Sequence, residues 1–378
     1  MNETSEAMPV LFIEKMHGFD RAVAELMLQE MQVIYTDLPT IIEESTRQNG
    51  VIGIIKGPRT ILKKQELERM VQRHPDLILS YIGRHPRNIL APDVHSSSIS
   101  QVETILFAHT EHGSTPVLSL TNSPLSSAVC AYTVTLSKDL LQGQFGRAKQ
   151  LCMHGGNTFT GRIGHSFTEN SLRGWSCAHT YSVAVIGAGD IGSRVIRSYA
   201  QAGAEVRYTA TRANSSLPKA ISFIPSTTQL LQCRSRIDLL TIHVPSGVLI
   251  PLERIPEVGV FINTSSGSNI DEDELIRALE ERRIHTALID VFRLEGKSFS
   301  GTIDPFSNRF IQSKLNPYPH CLDTPSDTQR KYRLQNFIEE KRLFLTPHIG
   351  YREEGVARKA LALALESILD YHKIMAPA

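Results

Sequence analysis

Between residues 182 and 212 the chain reads SVAVIGAGDIGSRVIRSYAQAGAEVRYTATR, and its glycines are spaced for one kind of chemistry. Gly187-Ala188-Gly189-Asp190-Ile191-Gly192 is a G-x-G-x-x-G run. Gly187 permits a tight turn, Gly189 lets the backbone approach a pyrophosphate, and Gly192 lets a helix pack closely on a strand. A helix opening there points free N–H groups at the anion. The run therefore points to dinucleotide binding. A second candidate is His348, in Thr346-Pro347-His348-Ile349-Gly350, directly after a strand-like stretch. Ligands gather at strand ends in open α/β sheets, and an imidazole titrates near neutrality, which suits it to proton exchange with a substrate oxygen.

These residues need elements to hold them. Val183 to Ile186 reads as a buried strand; a helix with apolar Val195, Ile196 and Ala200 follows, Gly203 ends it, and Glu205 to Ala210 is a second strand. This βαβ context separates the glycine run from an ordinary Gly-rich turn. Further strands are predicted at Ile237 to Val244, Val258 to Thr264, His285 to Phe292 and Arg342 to Leu345. Helices are predicted at Asp271 to Arg283, with Asp271 and Glu274 in a capping pattern, and at Glu353 to Tyr371. Towards the N-terminus, strands at Pro9 to Ile13, Gln32 to Tyr35, Val51 to Ile55, Leu77 to Ile82 and Val117 to Leu120 alternate with helices at Phe19 to Met31 and Lys64 to Arg73. Alternation of this kind implies parallel sheets covered on both faces. A boundary is expected near Thr121-Asn122-Ser123-Pro124. Beyond it Ser126 to Leu151 reads as one long helix and 152–181 as loop.

At 378 residues the chain is long for one domain, and 41% apolar residues suit ordinary cores. A formal net charge of +1 gives no electrostatic case for nucleic acid or an anionic membrane. The five widely spaced cysteines include no C-x-x-C pair and read as reduced thiols. With no apolar run of spanning length and a polar start, MNETSEAM, the expected location is cytoplasmic. His109 with His112, and His320 with Cys321, are too few to argue for a metal and read as structural.

The order TNSP, long helix, SLRG, VIGAGDIG, DLLTIHVP, FINTSSG, IDEDELIRAL, ALIDVF and FLTPHIG resembles the D-isomer-specific 2-hydroxyacid dehydrogenase family. The resemblance implies an α/β fold: a Rossmann dinucleotide-binding domain (123–349, with an insertion at about 296–341) and a flavodoxin-like substrate domain (1–122 and 350–378), the active site in the cleft between them. It assigns the general acid/base to His348, its carboxylate partner to Glu295, and the hold on the nicotinamide carboxamide to Asp290. Asp190, Ile191, Val244, Pro245 and Thr264 join the three glycines as cofactor-binding positions, and Gly83 aligns loosely with a loop that holds the substrate carboxylate. It further implies a small-molecule substrate and a homodimer through the Ser126–Leu151 region.

The departures from the family pattern are as informative. Where the family reads N-T-A-R-G, this chain reads Asn263-Thr264-Ser265-Ser266-Gly267, so Ser266 replaces an arginine that forks onto the substrate carboxylate. Losing such a charged hydrogen bond costs on the order of 1.5–3 kcal/mol. The substrate is then an atypical acid or analogue, or another cation such as Arg59 or Arg84 substitutes, or turnover has been lost and cofactor binding kept. Retention of His348, Glu295 and Asp290 favours the first two together. The second strand of the βαβ unit ends Tyr208-Thr209-Ala210-Thr211-Arg212, with Ala210 where NAD-preferring sites carry an acid. Arg212, with Thr209 or Thr211, can instead meet a 2′-phosphate, so NADPH is expected over NADH. The expected function is an NADPH-dependent oxidoreductase of a small 2-oxo or 2-hydroxy acid. The alternatives are an inactive dinucleotide-binding scaffold of the corepressor kind, or a biosynthetic dehydrogenase with an atypical substrate.

Overall fold

A computed structural model describes residues 9–14, 31–49, 51–56, 62–81, 94–96, 102–111, 113–120, 124–154, 167, 169–172, 175, 180–232, 236–291, 333–334, 336–346 and 355–375. The chain forms two compact units, one of residues 1–125 with 354–378, the other of residues 126–353. Each has its own seven-stranded sheet among the described residues.

In the first unit β1 (Val10–Glu14), β2 (Gln32–Thr36), β3 (Val51–Lys56), β4 (Ile78–Tyr81) and β7 (Gly113–Leu120) run parallel in the order β2-β1-β3-β4-β7. This is the flavodoxin-like order. β6 (Val102–Thr110) and β5 (Val94–Ser96) extend it antiparallel beyond β7. Two apolar cores cover the sheet. One includes Phe12, Ile54 and Leu79 with residues of α1 (Leu38–Ser45) and α2 (Lys64–Arg73); the other sets Leu11, Ile13 and Ile55 against Leu361, Leu365 and Ile368 of α8 (Val356–Met375). The strand order and the return of the last helix thus agree with the α/β fold expected from sequence. α1, β5 and β6 escaped the sequence reading. α1 had a usable signal: Asp37 caps it, accepting from Thr40 N at 2.9 Å, with a proline in its first turn. The helix expected at 19–31 falls, apart from Met31, outside the described residues.

In the second unit β8 (Ser182–Ile186), β9 (Glu205–Thr209), β10 (Ser222–Phe223), β11 (Arg236–Ile242), β12 (Glu257–Asn263), β13 (Ile284–Ile289) and β14 (Leu343–Leu345) are all parallel, in the order β10-β9-β8-β11-β12-β13-β14. This is the doubly wound Rossmann order with one strand added, and its switch point lies between β8 and β11. Near-continuous burial of Val183 to Ile186, Leu239 to Ile242 and Val260 to Asn263 is what a sheet covered on both faces requires. The region expected as one long helix is two, α3 (Pro124–Leu141) and α4 (Gly146–His154), broken at a turn where Gly143 takes φ +69°. α5 (Asp190–Gln201) follows β8, α6 (Thr227–Gln232) precedes β11, and α7 (Glu272–Glu280) links β12 to β13. Asp271 caps α7, accepting from Asp273 N and Glu274 N. No described helix is long and apolar enough to cross a membrane.

Candidate dinucleotide and active site

Strand register puts the site residues in a row. Ile186 pairs with Thr209 and with Ile242, Ile242 with Asn263, Asn263 with Ile289, and Ile289 with Leu345. The next residue of each strand, Ala210, Gly187, His243, Thr264, Asp290 and Thr346, therefore lies level with the others along the carboxyl edge, where open α/β sheets bind ligands.

The glycine turn sits at the switch point. Gly187 takes φ +100°, and a Cβ there would lie 2.3 Å from the His243 carbonyl oxygen; one on Gly192 would lie 1.9 Å from the Gly187 oxygen. Both are closed to any side chain. At Gly189 a Cβ would meet nothing within 4 Å, so the missing side chain leaves open space in front of the turn. Gly189 also caps α5 with no side-chain hydrogen bond. Open space over an uncapped helix N-terminus fits a pyrophosphate. Asp190 opens the helix half-exposed and is paired with Arg194, Nε to Oδ1 at 2.9 Å. Ile191 packs against the core that holds Val195 and Ile196.

Beyond β9, Thr209 is buried and its carbonyl accepts from Gly187 N at 2.8 Å; Thr211 and Arg212 are exposed, and no described residue pairs with the Arg212 guanidinium. The following loop is bolted to the glycine turn. Asn214 Nδ2 donates to the Ala188 oxygen at 2.9 Å and to Ser193 Oγ at 2.8 Å, while its backbone N–H donates to Tyr208 Oη at 3.0 Å. Arg197 Nη2 donates to Ser216 Oγ at 2.8 Å. Asn214 carries a turn signal of its own, an amide side chain that bonds the backbone two residues on: its Oδ1 accepts from Ser216 N at 2.9 Å.

Beyond β11, His243 Nε2 and Thr241 Oγ1 are 3.0 Å apart, and Nδ1 is buried among described residues without a partner. Burial drives the ring's pKa down to about 3, so it is neutral beneath the turn. Val244 is half-buried over Gly187, and Pro245 is exposed.

Beyond β12, the buried Asn263 side chain latches the loop: Oδ1 accepts from Ser265 N at 3.1 Å and Nδ2 donates to the Ser266 oxygen at 2.9 Å. Ser266 caps the short turn Gly267–Asn269. Its hydroxyl lies in a ring with Ser246 (3.2 Å) and Ser268 (3.0 Å), which are themselves 2.9 Å apart. The edge thus carries three mutually bonded neutral hydroxyls where the family pattern has a guanidinium.

At the far strands Asp290 is 1% exposed. The Thr346 hydroxyl donates to its Oδ1 at 2.7 Å, and Tyr132 Oη of α3 lies 2.6 Å from the same hydroxyl. Thr264 is buried and meets Thr133, also of α3, Oγ1 to Oγ1 at 3.3 Å. His348, Glu295, Gly83, Arg84 and Arg59, named from sequence, lie outside the described residues, as does most of the 296–341 insertion. Among the described residues there is no His/Cys/Asp/Glu cluster of metal-binding form.

Residues 160–350, just over half of the chain, match the family model described as D-isomer specific 2-hydroxyacid dehydrogenase, NAD binding domain. A D-specific alpha-keto acid dehydrogenase of Enterococcus faecium is 28% identical over 217 residues, 55% of this chain and 58% of that protein. A D-2-hydroxyacid dehydrogenase (NAD(+)) of Clostridioides difficile is 27% identical over 198 residues, 50% of this chain and 52% of that one. The alignments thus span little more than half the length of these curated relatives. The solved structure of D-2-hydroxyisocaproate dehydrogenase has the same fold, with a TM-score of 0.59 and 16% identity over 98% of both chains. The matched segment carries the glycine turn, the seven parallel strands and Asp290 at the sheet's carboxyl edge, and on that match this chain belongs to the D-isomer specific 2-hydroxyacid dehydrogenase family.

Proposed function

We propose that the protein is a nicotinamide-dinucleotide-dependent oxidoreductase interconverting a small 2-oxo acid, or a near analogue, with its 2-hydroxy form. The observation that carries this is the open space at Gly189 over the uncapped start of α5, in a turn whose Gly187 lies level along one sheet edge with buried Asp290. When bound, the nicotinamide supplies or accepts the hydride. Gly187, Gly189 and Gly192 would give a bound pyrophosphate access to backbone N–H groups, and Asp290 would accept from the carboxamide. His348 exchanges the proton of the substrate oxygen, with Glu295 holding the ring and favouring its charged form. Ser266 lines the substrate side with Ser246 and Ser268, while Arg59, Arg84 and the backbone at Gly83 meet the substrate's acid group in place of the absent arginine.

NADPH is preferred over NADH in this reading. No acid stands at Ala210, and Arg212 is exposed on a loop that Asn214 and Arg197 hold against the glycine turn. A 2′-phosphate there meets a guanidinium with no described ion-pair partner. Fluorescence titration with both dinucleotides tests the preference, and equal or tighter NADH binding overturns it. Oxidation of NADPH against a panel of 2-oxo acids, phosphonates and aldehydes tests the reaction, and His348→Ala should abolish it.

The closed ring of serine hydroxyls favours one second reading, a dinucleotide-binding protein without turnover. Tight NADPH binding with no oxidation across the panel would select it. For assembly we propose a homodimer built on residues 126–151. α3 is buried on nearly every face, so the partner would meet the exposed turn at 142–144 and the outer side of α4. Sedimentation at twice 42.1 kDa checks this.

A further inference from the structure

We propose that Tyr132 is a positioning residue for the nicotinamide end of the site, acting through Thr346 on the Asp290 carboxylate. The inference rests on the dinucleotide reading above and concerns a residue outside the motifs that led to it. Three side chains from three elements converge: Tyr132 from the middle of α3, Asp290 just past β13 and Thr346 just past β14, each no more than 1% exposed.

Their hydrogen bonds have a direction. The Thr346 hydroxyl donates its one proton to Asp290 Oδ1 at 2.7 Å. At 2.6 Å from Tyr132 Oη it is therefore the acceptor, and the phenol is the donor. Tyr132 Oη also reaches the same Oδ1 at 3.5 Å. Burial first, and the Asp290 charge second, push the phenol's pKa well above its usual value, so the donor keeps its proton at any working pH. The backbones of the other two are already fixed by the sheet: Asp290 N donates to the Asn263 oxygen and Thr346 N to the Ile289 oxygen, each at 3.0 Å. What the hydroxyl chain adds is the orientation of the carboxylate, together with a fixed side chain at Thr346, two residues before His348.

The ring and the hydroxyl of Tyr132 can be separated. The ring packs edge-on against Phe167 at 5.3 Å, a contact that phenylalanine would keep. Tyr132→Phe thus removes only the donor. The test is calorimetric binding to the full chain of NADPH and of 2′-phospho-ADP-ribose, which lacks the nicotinamide. Tyr132→Phe should weaken NADPH about tenfold and leave the fragment within about twofold. Thr346→Val should behave alike, Thr346→Ser should restore binding, and the double variant Tyr132→Phe/Thr346→Val should lose no more than either single one. Unchanged NADPH affinity in Tyr132→Phe, or equal loss for dinucleotide and fragment, overturns the inference while leaving the dinucleotide reading intact. If the wild-type chain binds neither ligand, the dinucleotide reading itself fails and the inference with it.

Discussion

His243 shows how one buried side chain sets a pH response. Its folded-state pKa is about 3 against an ordinary 6.5. Above pH 6.5 the ring is neutral in both the folded and unfolded states and adds no pH dependence. Below it the unfolded chain takes up a proton that the folded one refuses, so stability falls as pH drops from 6.5 towards 3. The slope approaches about 1.4 kcal/mol per pH unit. His243→Gln should flatten that limb, as urea denaturation of both proteins at about pH 7 and about pH 5 would reveal; parallel slopes would contradict it. Cys152 behaves in the opposite sense: burial pushes its thiol up to about 12, and Cys130 is also fully buried in the same core. Neither should react with a disulfide reagent in the native protein at mildly alkaline pH, and both should react on unfolding. On the substrate side, Ser266→Arg puts a cation back on the edge now held by three hydroxyls. It should raise kcat/KM for the simplest 2-oxo acids about ten- to a hundredfold, read by steady-state kinetics.

At the scale of elements, the turn between β8 and α5 makes two glycines separable by experiment. Gly192→Ala drives a methyl group into the Gly187 carbonyl, so backbone must shift, and a destabilisation on the order of 1–3 kcal/mol is expected. Gly189→Ala meets only open space; its melting temperature should stay near wild type while dinucleotide affinity drops. Calorimetry with and without NADPH distinguishes the two, and a stable Gly192→Ala variant with normal affinity would contradict this account of the turn. The glycine turn, the flanking strands and the loss of the arginine at Ser266 were legible in the sequence because each is local: a run of apolar residues, a fixed glycine spacing, a substituted motif. Tyr132 was not legible, since its partner Asp290 lies 158 positions away and nothing near it in the chain marks it. Nor was the split of the expected long helix, because Gly143 interrupts a pattern whose apolar residues continue beyond it. α3 turns out to be a crossbar: Thr133 reaches the end of β12, and Tyr132 the ends of β13 and β14.

For the whole molecule, each sheet has its own pair of cores, and every described residue assigned to the dinucleotide belongs to the 126–353 unit. Saturating NADPH should therefore slow amide exchange most strongly around 186–192, 209–216 and 243–245. Equal slowing in β1 to β4 would speak against this distribution. The alternating pattern of strands and helices announced both sheets. The antiparallel extension by β5 and β6 lies outside the predicted pattern, because the predicted strand begins at Val117, four residues after β7 starts at Gly113 beside its hairpin partner β6.

β13 and β14 are hydrogen-bonded neighbours, with Ile289 opposite Leu345, yet some fifty residues separate them in the chain. Both ends of that excursion are moored. Asp290 at its start is bonded to Thr346 just past its finish, and near that finish Arg333 is ion-paired with Glu280 of α7 and Arg342 donates to the His285 oxygen. Parallel neighbours cannot be joined by a tight turn and need a crossover of a dozen or more residues, which this spacing exceeds several-fold. Asp290 and Thr346 are thus brought side by side by the pairing of β13 with β14 and by their own hydrogen bond, not by nearness in the chain.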